Sequence, residues 1–274
     1  MNDKKLPFAS DYMRGGHPAV MRRLMETNLL PTTGYGLDEI SNEAKRKIRL
    51  ACRCEKAQVE FLVGGTQTNA VMIDAFLRAY QGVIAADTGH ISLHEAGAIE
   101  AGGQMVLITF HVEEVCARWQ IPLYVDGARL AYALACPEND VTLPDMAELC
   151  DAFYIGGTKC GALFGEAVVI PDPARLPHLF TLIKQHGALM AKGRLLGLQF
   201  DELFTDDLYL RIGVPAIQSA DRIRSAMAEA GYRQAFASPT NQVFCVVENG
   251  KLERLGESVA YSFWKSYDAD HTVI

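Results

Sequence analysis

An α/β fold is predicted for this chain of 274 residues: a mostly parallel sheet sandwiched by helices, followed by a smaller C-terminal α+β domain. Three observations predict it. From Asp38 to Ile170, short apolar runs bounded by Gly or Pro alternate with stretches of helical period, the pattern of parallel strands joined by covering helices. From about Asp206 this gives way to a helix, a strand-like run and another helix. Apolar residues make up 49% of the chain and charged residues 22%, enough for a large core and unlike a disordered chain.

Residues 1–36 read as an N-terminal arm, Gly- and Pro-containing and weakly periodic, with one short helix at Ala19–Thr27. Residues 37–205 form the large domain. It opens with a charged amphipathic helix over Asp38–Arg53, where Ile40, Ala44, Ile48 and Ala51 recur near helical spacing. Val59–Val63 is a short apolar strand ending in Gly64-Gly65, and Gln67–Tyr80 places Val71, Met72, Ala75, Phe76 and Ala79 on one helical face. Val83–Ala86 is strand-like, Ile91–Ala101 helical, Met105–Ile108 strand-like, Val112–Trp119 helical and Pro122–Val125 a strand. Ala152–Ile155 and Ala167–Ile170 add two more strands. Residues 206–274 form the small domain, with a helix at Ala220–Ala230, a strand at Gln242–Val247 and a helix near Leu255–Lys265.

Lys and Arg total 26 against 33 Asp and Glu, a formal charge of −7. That balance argues against a polyanion binder, so nucleic acid is not an expected partner. Lys4-Lys5 is followed by no apolar signal core, and no run of about 18 uncharged apolar residues occurs, so neither export nor membrane insertion is expected. Seven scattered cysteines fit a reduced, cytoplasmic setting better than a disulfide framework. Cys52-Arg53-Cys54 has no second ligand pair nearby, and no metal site is expected.

The strongest candidates for chemistry are Asp126 and Lys159, each at the exit of a predicted strand. Ligands of open α/β sheets bind outside the carboxyl ends of the strands, so the two could face one crevice. A lysine beside an aldehyde can form a Schiff base, and a carboxylate can keep a pyridine nitrogen protonated. Taken singly, Lys159 also reads as a surface lysine after a Gly-Gly turn, and Asp126 as a helix cap. Gly64-Gly65-Thr66-Gln67-Thr68-Asn69 lies between a strand and a helix, where backbone N–H groups and a hydroxyl can cradle a monophosphate. The plainer reading is a turn with Thr66 as N-cap. His90, in Asp87-Thr88-Gly89-His90, could stack on a flat ring or move protons near neutral pH; it also reads as a structural histidine. His90 and His94 have the i, i+4 spacing of a metal pair, but His90 reads as preceding the helix, and zinc is not expected.

Together these pieces resemble the low-specificity threonine aldolase and β-eliminating lyase family of fold-type I pyridoxal-phosphate enzymes, whose large domain is of the aspartate aminotransferase type. The resemblance runs from Phe8-Ala9-Ser10-Asp11 through Thr32-Thr33-Gly34-Tyr35-Gly36, Gly65-Thr66, His90, Val125-Asp126-Gly127-Ala128-Arg129-Leu130 and Gly156-Gly157-Thr158-Lys159 into Lys192-Gly193-Arg194, most of the chain. It implies pyridoxal 5'-phosphate as cofactor. Lys159 would then condense with its aldehyde, Asp126 would pair with its ring nitrogen, and His90 would stack on the ring. Gly65 and Thr66 would bind the phosphate, and Arg129 would lie near the phenolic oxygen. Ser10 would help hold the substrate carboxylate. Tyr35 and Arg194 resemble residues that reach across a subunit interface, Tyr35 on the substrate side and Arg194 toward the phosphate, which implies a homodimer or homotetramer. As a plain sequence feature, Arg194 also reads as a solvated helix cation.

Two departures fall on the substrate side. Thr109-Phe110 runs directly into His111–Trp119, leaving room for one helix where the resembled family carries a longer stretch with another strand and a polar substrate-side residue. The large domain therefore reads as shortened near 109–110. The chain stops at Thr272-Val273-Ile274, about where that family supplies an arginine for the substrate carboxylate, so the small domain reads as truncated. The implied reaction is retro-aldol cleavage of a β-hydroxy-α-amino acid, such as threonine or allo-threonine, to glycine and an aldehyde. The alternatives are β-elimination or racemisation of another amino acid, or a chain that binds cofactor or partner without turnover.

Overall fold

In the computed structural model of the protein, the described residues are 5–78, 80–86, 89–101, 104–109 and 112–274. Ala79 of the expected helical face, Asp87 and Thr88 before His90, and Phe110 and His111 of the expected short connection lie outside them. The chain divides into two compact units, one of Gly16–Leu130 with Val141–Leu208, the other of Met1–Gly15 with Ala131–Asp140 and Tyr209–Ile274. The expected arm of residues 1–36 is thus divided between the units, and the large unit ends at Leu208 where 205 was expected.

Local chemistry explains most elements. β1 (Leu6–Pro7) precedes α1 (Pro18–Glu26), which starts on a proline where the missing N–H would be unpaired anyway. α2 (Glu39–Ala51) starts at Asp38, whose carboxylate accepts from the Ser41 N–H at 2.9 Å and from its hydroxyl at 2.7 Å. β2 (Gln58–Leu62), α3 (Gly65–Phe76) and β3 (Gly82–Ala86) follow. The helix expected over Ile91–Ala101 is instead two single turns, α4 (His90–Leu93) and α5 (Ala98–Ala101). Ala96 and Gly97 between them have φ of 51° and 76°, and a right-handed helix cannot continue through left-handed residues. Next come β4 (Met105–Thr109), α6 (Val112–Trp119), β5 (Tyr124–Val125), α7 (Leu130–Leu134) and α8 (Leu143–Leu149), the last opened by a Thr142–Asp145 capping box. β6 (Ala152–Gly156) and β7 (Glu166–Ile170) are buried throughout and lead to α9 (Leu179–Gln185) and α10 (Arg194–Leu203).

In the large unit the main sheet has the order β2-β7-β6-β5, and β3 pairs with β4 in parallel. β5 and β6 are parallel, but β7 is antiparallel to both β6 and β2. The reason is length: residues 157–165 suffice for a reversal, whereas a parallel crossover takes a dozen or more residues. Alternation along the strands feeds two layers. Leu62, Tyr154, Val168 and Ile170 pack with Val71 and Met72 of α3 and Leu179 and Ile183 of α9. Phe61 points the other way and stacks on Phe200 of α10 at 5.3 Å.

In the other unit, α11 (Leu208–Glu229) begins well before the expected Ala220 and runs through Pro215. β8 (Val246–Glu248), α12 (Asn249–Ser258), β9 (Val259–Ala260), β10 (Lys265–Ser266) and β11 (His271–Val273) complete it. β1 pairs with β9, and the Phe8 N–H donates to the Ala260 carbonyl at 2.9 Å, which explains why the first residues join this unit. Gly213 of α11 lies where a Cβ would overlap the Ala131 carbonyl, so the segment after Leu130 is held here as well. Among the described residues, no helix is long and apolar enough to cross a membrane.

Candidate active site

Strand ends in the large unit deliver the chemistry. Asp126 follows β5, and its carboxylate accepts three hydrogen bonds. Tyr154 Oη donates to Oδ1 at 2.5 Å, the Ala128 N–H donates to Oδ1 at 3.0 Å, and Asn69 Nδ2 donates to Oδ2 at 3.1 Å. The carboxylate is thereby fixed in direction while the residue stays exposed. Burial pushes the Tyr154 and Tyr124 hydroxyls far above the usual phenol range, and the Asp126 charge adds to it, so both act as O–H donors.

Asn69 joins this acid to His90. Its Nδ2 also donates to Glu95 Oε1 at 2.8 Å, and its Oδ1 accepts from Tyr124 Oη at 2.9 Å. Glu95 Oε1 in turn lies 2.9 Å from His90 Nδ1. A carboxylate there accepts an Nδ1–H, which sets the imidazole plane and leaves Nε2 as the ring nitrogen not engaged by Glu95. His90 is the first residue of α4, behind Gly89 as N-cap, where it was expected to precede the helix, and its ring centroid is 5.4 Å from that of His94.

The start of α3 stands beside the same group. The N–H groups of Gly65, Thr66 and Gln67 precede the first helical bond, from Thr68 N to the Gly64 carbonyl at 3.0 Å. Gly64 supplies no side-chain cap, and Thr66 is exposed. Unpaired N–H groups and the positive helix end suit an anion. A Cβ on Gly65 would come within 3.1 Å of Tyr154 Oη, the hydroxyl that holds Asp126. Glycine therefore lets this helix start close in on the acid.

Lys159 lies on the turn after β6. Ahead of Thr158 on the same turn, Gly156 and Gly157 sit where a Cβ would overlap the Ala128 carbonyl or come within 2.5 Å of the Gly165 carbonyl. Glu166, buried at the head of β7, feels both the Lys159 amine and the Asp126 carboxylate. The Gly156 N–H donates to the Gly127 carbonyl at 3.0 Å, so the loops that carry the amine and the acid lie side by side. Arg129 is half-buried three residues after Asp126.

Three more expected residues make contacts of their own. Ser10 belongs to the other unit, where its hydroxyl accepts from the Tyr12 N–H at 3.3 Å. Tyr35 has a left-handed φ of 62°, donates its N–H to the Ala191 carbonyl at 3.1 Å, and carries the Lys184 ammonium 4.5 Å from its ring centroid. Neighbouring Gly34 has room for no side chain, since a Cβ would sit 2.9 Å from the Ala191 oxygen, and one on Gly193 would overlap the Gly36 nitrogen. Arg194 donates within its own chain to Thr27 Oγ1 and to the Asn28 carbonyl, both at 3.3 Å.

Asn69, Glu95, Tyr124, Tyr154 and Glu166 were not singled out by sequence reasoning as site residues. The available signal was a polar side chain within an otherwise apolar run, as in Ala152–Gly156 or Glu166–Ile170.

The donor set fits pyridoxal phosphate. An anion cradle that a Cβ at position 65 would crowd, a carboxylate oriented by three donors, an imidazole and a lysine follow β2, β5, β3 and β6 of one unit. Glu95 Oε2 is buried with no partner among the described residues, an acceptor still to be used beside His90.

Comparison with known proteins agrees. A family model described as beta-eliminating lyase matches residues 7–114. A low-specificity L-threonine aldolase from a Pseudomonas species is 25% identical, over 93% of this chain and 88% of that protein. The solved structure of a Leishmania major threonine aldolase superposes with a TM-score of 0.94 and 34% identity, covering 97% of this chain and 92% of the other. A putative L-allo-threonine aldolase from Listeria monocytogenes shares the fold at a TM-score of 0.76 and 14% identity, covering 99% of this chain and 89% of its own.

Proposed function

The chain belongs to the threonine aldolase family, and from that premise we propose that it cleaves β-hydroxy-α-amino acids such as threonine or allo-threonine to glycine and an aldehyde, with pyridoxal 5'-phosphate as cofactor. The observation that carries the reading is the carboxylate of Asp126, held by Tyr154, Asn69 and Ala128 beside an uncapped helix start. When bound, pyridoxal phosphate supplies an aldehyde and an electron-poor ring that accepts the electron pair left as a bond to Cα breaks.

The chain's own groups then divide the work. Lys159 would hold the cofactor through its amine. Asp126 holds a proton at the ring nitrogen, and its three donors keep the carboxylate from turning away. Gly65 and Thr66 receive the phosphate at the start of α3. His90, braced through Nδ1 by Glu95, presents an imidazole that can take the β-hydroxyl proton. Arg129 would face the cofactor's phenolic oxygen, and Ser10 and Tyr35 would serve the substrate.

The same reading makes the protein a cytoplasmic homodimer or homotetramer, with Tyr35 and Arg194 at a shared interface. Met25, Leu29 and Leu30, which flank the Thr27–Asn28 anchor of Arg194, are 77%, 92% and 50% exposed and supply an apolar surface for it.

The test is direct. Purified protein should show a visible cofactor band that Lys159→Ala removes, and L-threonine or L-allo-threonine should yield glycine and acetaldehyde in equal amounts. Ammonia with an oxo acid would replace the aldol reading with elimination, a reading that the beta-eliminating lyase match at residues 7–114 keeps specific.

A further inference from the structure

Gln199 of α10 is a fully buried amide that the proposed chemistry does not use. Its Oε1 accepts the Leu163 N–H at 2.7 Å. Its Nε2 donates to the Phe164 carbonyl at 3.2 Å and to the Leu195 carbonyl of its own helix at 2.9 Å. Both polar atoms of the amide thus hold the loop of residues 157–165, which carries Lys159.

That loop is closed on itself around the lysine. The Cys160 and Ala162 N–H groups donate to the Gly157 carbonyl at 2.9 Å each, those of Gly157 and Thr158 to the Gly165 carbonyl at 3.0 Å each, and the Gly165 N–H to Thr158 Oγ1 at 2.9 Å. A turn braced in this way moves as one piece, so a grip on residues 163–164 is a grip on the lysine backbone. Glu166 Oε2 also accepts the Gly157 N–H at 2.8 Å, and the His17 N–H donates to the Gly161 carbonyl at 2.7 Å, but neither bond reaches residues 163–164.

One face of α10 is the seat of the loop. Leu196, Gln199 and Phe200 share it at i, i+3 and i+4. A Cβ on Gly165 would come within 2.4 Å of Leu196 Cδ2, and one on Gly157 within 2.8 Å of Phe200 Cζ. These apolar neighbours set how closely the loop lies, but apolar contact has no direction. The amide supplies direction, because an acceptor for residue 163 and a donor for residue 164 suit one placement of the loop.

We propose that Gln199 is a positioning residue for Lys159: its buried amide fixes the lysine loop on α10, so that the amine is held where the cofactor aldehyde binds. The inference rests on the reading of Lys159 as the cofactor lysine.

Two measurements test it. Hydrogen exchange of folded, cofactor-free protein, followed by mass spectrometry of fragments covering Leu163, should show a slow Leu163 amide that exchanges at least about tenfold faster in Gln199→Met. Fast exchange in the parent overturns the inference without any variant. Pyridoxal phosphate is then added over a range of concentrations and fixed to Lys159 by borohydride reduction, and the modified peptide is quantified. The half-saturating concentration should rise about tenfold in Gln199→Met, at a temperature where circular dichroism shows it fully folded. Lys47→Met is the control for lost stability alone. Lys47 Nζ ties α2 to the same helix, at Asp201 Oδ1 (2.6 Å) and at Thr205 Oγ1 (2.8 Å), and its loss should lower Tm while half-saturation stays at the parent value. A parent-like value in Gln199→Met, or an equal rise in Lys47→Met, overturns the inference. Should Gln199→Met not fold, Gln199→Asn, whose amide falls a methylene short of the loop, is read the same way. Failure of the underlying reading looks different: reduction would fix the cofactor equally well in Lys159→Ala, whatever the exchange rates.

Discussion

Replacing Asn69 by leucine tests the frame that holds the candidate site. Asn69 is 1% exposed and makes three side-chain hydrogen bonds, to Glu95, Asp126 and Tyr124. Leucine keeps four side-chain heavy atoms branched at Cγ, with bulkier methyls, so no cavity opens and the change reads mainly the polar groups. Two of the lost bonds go to carboxyl groups, worth about 1.5–3 kcal/mol each, and the Tyr124 hydroxyl is left buried without its acceptor at a cost of about 1–3 kcal/mol. Allowing for the apolar gain of leucine, a net loss of about 3–5 kcal/mol is expected. For a chain of this length that lowers Tm by roughly 10 °C. Thermal unfolding of cofactor-free protein, followed by circular dichroism, reads it. Adding Tyr124→Phe removes the stranded hydroxyl and should recover about 1–2 kcal/mol, a non-additivity expected of contacting residues. A single variant within about 1 kcal/mol of the parent, or strict additivity in the pair, refutes the idea that Asn69 ties the two acids together.

Glu166 makes stability depend on pH with a defined sign. Its carboxyl, ordinarily near 4.5, is raised to about 7, so the folded state binds the extra proton between those values. Stability should be highest below about pH 4.5 as far as this group is concerned and fall by about 3 kcal/mol as pH rises to about 7 and beyond. Denaturant titrations of the parent and Glu166→Gln should differ by that slope, and parallel curves would contradict it. Gly127→Ala places a Cβ into the Tyr154 carbonyl; a loss of about 3 kcal/mol or more is expected, visible as poor recovery of folded protein. Asp126→Asn keeps the shape but not the charge, and should lower kcat at least about a hundredfold while Tm changes little, measured by glycine release.

The groups that meet solvent or ligand were the legible ones. Asp126, Lys159 and Gly65-Thr66 stand where strands end, and there a polar or glycine residue after an apolar run has few structural reasons to exist. Their supports were hidden by the rule that revealed the strands. Tyr154 and Glu166 lie inside or at the head of runs that read as pure core, and Asn69 shares a helix with Val71 and Met72. A single polar residue on such a face registers as noise until its partners are known. The split after Leu93 was missed because Ala96 reads as a helix former, while the backbone turns left-handed at Ala96-Gly97. The direction of β7 was legible in principle from the brevity of residues 157–165. α9 and α10 were missed, and α10 has an unusually buried face, including Gln199 and Asp201.

The seam between residues 34–36 and 191–193 has a mechanical consequence. With Gly34 and Gly193 each admitting no side chain, and Tyr35 bonded through its backbone to Ala191, the two loops interlock like the halves of a zip fastener. Arg194 begins the very next helix. A shift of this helix start is passed through Ala191 to the Tyr35 backbone, so an engineer who grafts one loop from a relative has to import the other in the same step.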